Sequence, residues 1–183
     1  MMLSLRMLAL SLLAVQLSGH AWARVDQQTE KGFRVVHTVT VTADASAAFE
    51  RFVKIGSWWS KAHTYSGEAK NLKIDLTPGG CWCERVGQGG FVKHMEVLTA
   101  LPGQHLAFQG GLGPLQRLGA SGVMAVDFKT KDGKTDVSMV YTVTGLFDDK
   151  EVAGLAAAVD GVLGEQIKRY ADAKTSGEVP KQP

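Results

Sequence analysis

The chain's only two cysteines stand one residue apart in the stretch GGCWCERVGQGGFVKH, residues 79–94. A glutamate follows them, and a histidine lies just past a glycine-rich turn. On a strand, Cys81 and Cys83 project from one face and Trp82 from the other, because side chains alternate. Two such Cα atoms lie about 6.6 Å apart, near the upper limit for a disulfide, so a bridge requires a bulge or strain. What faces the cysteines depends on the hairpin. A two-residue loop, Gln88-Gly89, sets Val86 opposite Phe91, Cys83 opposite His94 and Cys81 opposite Glu96. Cys81, Cys83 and His94 then share one patch, with soft and borderline ligands of the kind that bind zinc or copper. An odd loop shifts the register by one. It brings Glu84 to His94 beside Trp82, a carboxylate–imidazole pair suited to acid/base catalysis. Two-residue loops are the commonest, which favours the even register. Against both stands simple packing, since cysteine is among the most buried residue types.

A second cluster of chemistry-bearing residues is WWSKAHTYSG. Trp58 and Trp59 close a helical segment, and His63 and Tyr65 follow in a loop. Aromatic rings and an imidazole at a cavity mouth would read a ligand; the alternative is a tryptophan pair that plugs the core. A third stretch, GGLGPLQRLG, is glycine-rich but lacks the strand-to-helix context of a phosphate loop. It reads as a loop over a cavity, with Leu112, Leu115 and Leu118 as apolar contacts and Gln116 as an amide. Tyr141 and His105 fall on strands, as wall or surface residues.

The elements that must position these residues follow from periodicity. FRVVHTVTVTA alternates β-branched and polar residues and predicts a strand over 33–42. Asp44 is a fair N-cap for a helix carrying Ala47, Ala48, Phe49, Phe52 and Val53 at helical spacing. NLKIDL, CWCERV, FVKHMEVLTAL, QHLAFQGG, SGVMAVDFKT and KTDVSMVYTVTGLF predict further strands, separated by turn residues in PGG, GQGG, LPGQ and KDGK. The segment that follows is a long amphipathic helix. Val152, Leu155, Val159, Val162, Leu163, Ile167 and Tyr170 form its apolar stripe, and Asp148 or Asp149 caps its start. Its many glycines and alanines leave room between helix and sheet, a reasonable place for an apolar cavity. The expected fold class is α+β: an antiparallel sheet of about seven strands curled around one long C-terminal helix.

Length and composition set the remaining bounds. The chain has 183 residues, 45% hydrophobic and 21% charged, which fits one globular domain. A net charge of +2 without a dense basic run gives no reason to expect nucleic acid. The first 23 residues differ from the rest. Arg6 precedes an apolar run over about 7–17, and Ala21-Trp22-Ala23 forms an A-x-A cleavage pattern. That layout predicts a secretory signal peptide with cleavage near Ala23-Arg24 and a periplasmic or secreted product. The run is too short to span a bilayer, and no later segment is predicted to do so. The expected divisions are a signal peptide over 1–23, a polar lead over 24–32, a domain over 33–173 and a frayed tail over 174–183.

The element order resembles the helix-grip fold of the START-like, or SRPBCC, superfamily. The resemblance rests on FERFVKIGSWWS, LTPGGCWCER, LPGQHLAFQGGLGPLQ and AAAVDGVLGEQIKRY. That superfamily includes polyketide cyclases, lipid-transfer domains, pollen allergens and bacterial homologues of a heat-shock-chaperone ATPase activator. The Pro-Gly-Gly turn before an aromatic strand is similar to the ATPase-activator-like branch. HTYSG, GGCWCE and GGLGPLQ resemble a narrower group of exported bacterial proteins. The resemblance implies a hydrophobic cavity under the C-terminal helix and no single chemistry. Three readings follow. The first is a binder of a small hydrophobic or amphipathic molecule, contacted by Trp58, Trp59, His63, Tyr65, Trp82, Leu112, Leu115 and Gln116. The second is a cyclase- or dehydratase-type enzyme using Glu84 and His94. The third is metal or redox handling by Cys81, Cys83 and His94.

Overall fold

A computed structural model describes residues 22–173; residues 1–21 of the signal peptide expected over 1–23, and the tail over 174–183, lie outside the described residues. Two hairpin-paired strands open the fold, β1 (Trp22–Thr29) and β2 (Gly32–Val41). Helix α1 (Ala45–Val53) follows, then 3-10 turns at Ile55–Ser57, Lys61–His63 and Ala69–Asn71. The chain continues through β3 (Leu72–Ile74), β4 (Cys81–Val86), β5 (Gly90–Leu101) and β6 (His105–Gly110). A 3-10 turn at Gly113–Gln116 precedes β7 (Ser121–Lys131) and β8 (Lys134–Thr144), and α2 (Asp149–Asp172) ends the fold. The strands form one antiparallel sheet in the order β1-β2-β8-β7-β6-β5-β4-β3. The expected α+β architecture is present, with eight strands. The additional strand is β1, which takes in the last two residues of the expected signal peptide and most of the stretch read as a polar lead. Its RVDQQT sequence is polar because it is an edge strand with most of its residues in solvent.

Alternation decides which face of the sheet is inward. In β2, Phe33, Val35, His37, Val39 and Val41 are buried, while Thr40 between the last two is exposed. Helix α2 packs across this inward face against β1 and β2. Asp148, not Asp149, caps it, its carboxylate accepting from the Lys150 and Glu151 amides at 3.0 and 2.7 Å. Asp44 caps α1 in the same way through the Ala47 amide at 2.8 Å.

A run of aromatic rings joins the two helices to the sheet. Phe52 of α1 packs edge-on against Phe128 of β7 and Tyr170 of α2, at 6.0 and 5.6 Å between centroids. Trp58 continues the run to Tyr170 and Trp59, and Trp59 meets Trp82 of β4 edge-on at 5.1 Å. Trp58 is therefore a core anchor. Its indole donates to the Arg51 and Phe52 carbonyls, and its own carbonyl accepts from the Arg169 guanidinium at 3.0 Å. The Tyr170 hydroxyl donates to the Ala48 carbonyl at 2.8 Å in a buried setting. Each such ring withdraws a large apolar surface from water, and the edge-on contacts add specificity. Truncating the central ring, Phe52→Ala, is expected to remove roughly 3–5 kcal/mol of stability. A urea-unfolding series compared with wild type measures it.

Candidate functional site

The hairpin between β4 and β5 takes the odd register. Val86 pairs with Gly90 across the three-residue loop Gly87-Gln88-Gly89, and Cys83 pairs with Lys93, not His94. Gly87 and Gly89 both take positive φ, 54° and 83°, which lets the chain turn over three residues. A bulge then inserts His94 between the Cys83–Lys93 and Trp82–Met95 pairs and restores Cys81 opposite Glu96. The expected patch of Cys81, Cys83 and His94 is thereby dispersed. The cysteines face outward and are joined to each other, with Cα atoms 5.3 Å apart where the bulge bends the ladder. His94 lies on the opposite, inward face. With both sulfurs bonded and the imidazole across the sheet, these three residues do not fit a zinc or copper site. Lys93, on the outer face, pairs with Glu96.

On the inward face, Glu84 is fully buried. Its carboxylate accepts three hydrogen bonds: from the Tyr65 amide at 3.1 Å, from the Ser66 amide, and from Nε2 of His94 at 3.0 Å. Burial pushes the carboxyl upward, but the bonds from Ser66, Tyr65 and His94 outweigh it and hold the group below the ordinary glutamate range. Burial likewise depresses His94, with the adjacent Glu84 opposing the shift. At neutral pH the pair is a carboxylate and a neutral imidazole. Nε2 carries the proton toward Glu84, which leaves Nδ1 as an acceptor.

A cavity of about 490 Å³ lies between the sheet, α2 and two loops. Its buried walls are Trp59, Leu72, Trp82, His94, Leu115 and Leu163. Leu155, Ala158, Val159 and Val162 of α2 complete one side, so the apolar helical stripe does double duty as core and wall. The rim passes the exposed residues Ala62, Tyr65, Pro114, Arg117 and Ala158. Of the expected ligand contacts, Trp59, His63, Tyr65, Trp82, Leu112 and Leu115 are brought together here. Trp58 is not, for the packing reason above. Gln116 is not either, because its amide donates to the Lys93 carbonyl and ties the loop to β5. Leu118 points away and is exposed. Glu84 sits behind His94 and is sealed from the cavity space.

The rim is braced from several sides. His63 Nε2 meets Glu165 of α2 at 3.0 Å. The Ser60 amide donates to the buried Gln166 side chain at 2.7 Å, and the Trp59 indole donates to the His63 carbonyl at 2.9 Å. Across the mouth, the Tyr65 hydroxyl donates to the Gly113 carbonyl at 3.0 Å. The buried Tyr141 holds the base of the loop over residues 111–120. It donates to the Gly110 carbonyl and accepts from the Leu112 amide, and burial raises its hydroxyl to about 12. Sequence reasoning placed it only as a wall or surface residue.

Two residues escaped the sequence reading. His37 is buried on the inward face of β2, its Nε2 3.1 Å from Asp160 of α2. Burial lowers its pKa, with Asp160 opposing. The signal was available, because His37 interrupts the inward row Phe33, Val35, Val39 and Val41. Arg117 on the rim had no comparable signal, since a loop arginine is ordinary.

These shifts make stability pH-dependent with a defined sign. His37 and His94 are depressed below the ordinary value of 6.5, so the unfolded chain binds more protons and stability falls as pH drops below that value. Glu84 is depressed below 4.5, so its contribution is complete above that pH and is lost as pH falls through its folded value. Glu84→Gln is expected to lose roughly 1.5–3 kcal/mol at neutral pH. In unfolding measured against pH, the variant should keep the loss that begins below 6.5 and show a smaller one below 4.5.

No family model and no curated protein matches the chain. Among solved structures, Ms6760 from Mycobacterium smegmatis is similar at a TM-score of 0.57 and 15% identity, covering 85% of this chain and 96% of that one. The Aha1 dimer from Colwellia psychrerythraea matches at 0.51 and 14% identity, over 79% and 97% of the two chains. DynU16, from the dynemicin biosynthetic locus, matches at 0.52 and 19% identity, over 80% of this chain and 48% of its own. At these identities the likeness is one of fold. With its single antiparallel sheet and long C-terminal helix, the chain has the helix-grip fold.

Proposed function

We propose that the protein binds a small hydrophobic or amphipathic molecule in the cavity between sheet and α2. The observation that carries this reading is the cavity of about 490 Å³ itself, walled by tryptophan, leucine and valine side chains and open at a braced rim. That volume and lining fall in the range of small-molecule sites. Native mass spectrometry of protein purified from its host tests it, with a retained small molecule as the expected result. Ala158→Trp places a bulky ring on an exposed rim position, so it is expected to leave the unfolding midpoint unchanged and weaken binding at least tenfold. A protein that neither retains nor takes up any apolar compound would end the reading. Tyr65→Phe removes the hydroxyl that bridges the mouth, a bond of about 1 kcal/mol. It is expected to accelerate ligand release several-fold in stopped-flow displacement, with little change in stability.

The binding is proposed to occur outside the cytoplasm. Support comes from the A-x-A pattern after the apolar run and from the Cys81–Cys83 disulfide, a bond that persists in oxidising compartments.

A second reading, acid/base catalysis of the cyclase or dehydratase kind, is favoured by one observation. His94 lines the cavity while Glu84 holds its Nε2 proton. In that arrangement Nδ1 takes a proton from a bound carbon acid, and the Glu84 carboxylate stabilises the imidazolium that forms. Glu84 is then a positioning residue and His94 the base. The test uses 1-phenylbutane-1,3-dione in deuterated water. Wild type is expected to accelerate exchange of the acidic methylene protons, and His94→Gln to abolish the acceleration. Equal exchange with both proteins leaves binding alone.

A further inference from the structure

We propose that the molecule held in the cavity is an apolar carboxylic acid, with its carboxylate at Arg117 on the rim and a hydroxyl at its far end donating to His94. The inference rests on the binding reading and adds the ligand's charge and polarity.

It follows from which polar groups of the wall are already bonded. The Tyr65 hydroxyl donates to the Gly113 carbonyl, and the Thr64 hydroxyl to the Lys61 carbonyl. His63 is turned to Glu165 on α2. The Glu84 carboxylate, the nearest anion to the floor, is buried behind His94 with three donors of its own. Two groups remain. The guanidinium of Arg117 has no side-chain partner among the described residues, and Nδ1 of His94 is left free by the bond from Nε2 to Glu84.

Their chemistry is complementary to one kind of molecule. Among the described residues, Arg117 is the only permanently charged one in the lining, and none of them puts a carboxylate there. An arginine only donates and pairs a carboxylate with two parallel bonds. The Nδ1 of a neutral imidazole only accepts. Between the rim and the floor the walls are aliphatic and aromatic, so the body of the ligand must be apolar. An amine of the same shape would meet like charge at the rim and find no anion inside.

The experiment compares four compounds of matched chain length, decanoate, decanol, decylamine and ω-hydroxydecanoate, by calorimetry at neutral pH on wild type and Arg117→Gln. Arg117 is exposed, so its substitution leaves folding intact. Wild type is expected to bind decanoate about tenfold more tightly than decanol, with decylamine weakest and the acid's advantage shrinking as salt is raised. Arg117→Gln is expected to bind decanoate and decanol alike, with decanol unchanged from wild type. ω-Hydroxydecanoate should bind wild type at least as tightly as decanoate despite its lower hydrophobicity. Equal affinity for acid and alcohol in wild type, or an acid preference that survives Arg117→Gln, overturns the assignment of the anion site and leaves the binding reading standing. Tenfold weaker binding of the hydroxy acid overturns the role given to His94. If none of the four compounds binds, the binding reading fails together with the inference.

Discussion

A carboxylate buried in an apolar wall is tolerated only where donors surround it, and Glu84 meets that requirement with three. The donors come from two separate parts of the chain, the loop after Trp59 and strand β5. To satisfy one side chain of β4, the loop must fold back onto the sheet and the hairpin must present His94 inward. Both conditions shape the cavity. The loop becomes its rim, and the imidazole becomes part of its floor. Leaving Glu84 unpaired would expose two amides and a charge to a dry interior, so the alternative arrangements of this region are strongly disfavoured.

The rest of the enclosure is attached to that arrangement. Trp59 stands edge-on to Trp82, so the loop that donates to Glu84 also packs against the strand that carries it. His63 and Ser60 then reach across to Glu165 and Gln166, which locks α2 at a fixed distance from the loop. Tyr141 performs the equivalent task for the opposite loop from beneath. A helix with alanine and glycine at many positions would otherwise be free to settle closer to the sheet. These polar tethers and the aromatic rings between them hold it off, and the space that remains is the cavity.

Strand β4 has different chemistry on its two faces. Trp82 and Glu84 look inward to the wall and its buried pair. Cys81 and Cys83 look outward and bond to each other beside the Lys93–Glu96 ion pair. The bulge at His94 serves both sides. It brings the imidazole onto the inward face with Glu84, and it bends the ladder where the cysteine Cα atoms come to 5.3 Å. The stretch that looked like half a metal site is instead a junction between a covalent clamp and an acid–imidazole pair.

Much of the framework was legible in the sequence. The alternation of β2, the cap at Asp44, the turn residues between strands and the stripe of α2 each express a local preference that the fold obeys. Trp59, His63, Tyr65, Trp82, Leu112 and Leu115 were legible as candidate ligand contacts because aromatic and apolar residues stood out in two loops and on the strand beside them. Strand β1 was missed because an edge strand in water needs no apolar face. The hairpin register was misjudged because GQGG supports a two- or a three-residue turn equally well. The odd register lets His94 join the burial of Glu84, whose other two partners lie 18 and 19 residues away. By itself the sequence determined which segments are strands and helices and where the sheet's inward face lies, since those depend on neighbours along the chain. Only the tertiary structure decided that His94 belongs to Glu84 and not to the cysteines, that Gln116 braces a loop and that Arg117 is left facing the cavity, because each depends on contacts between segments that periodicity does not encode.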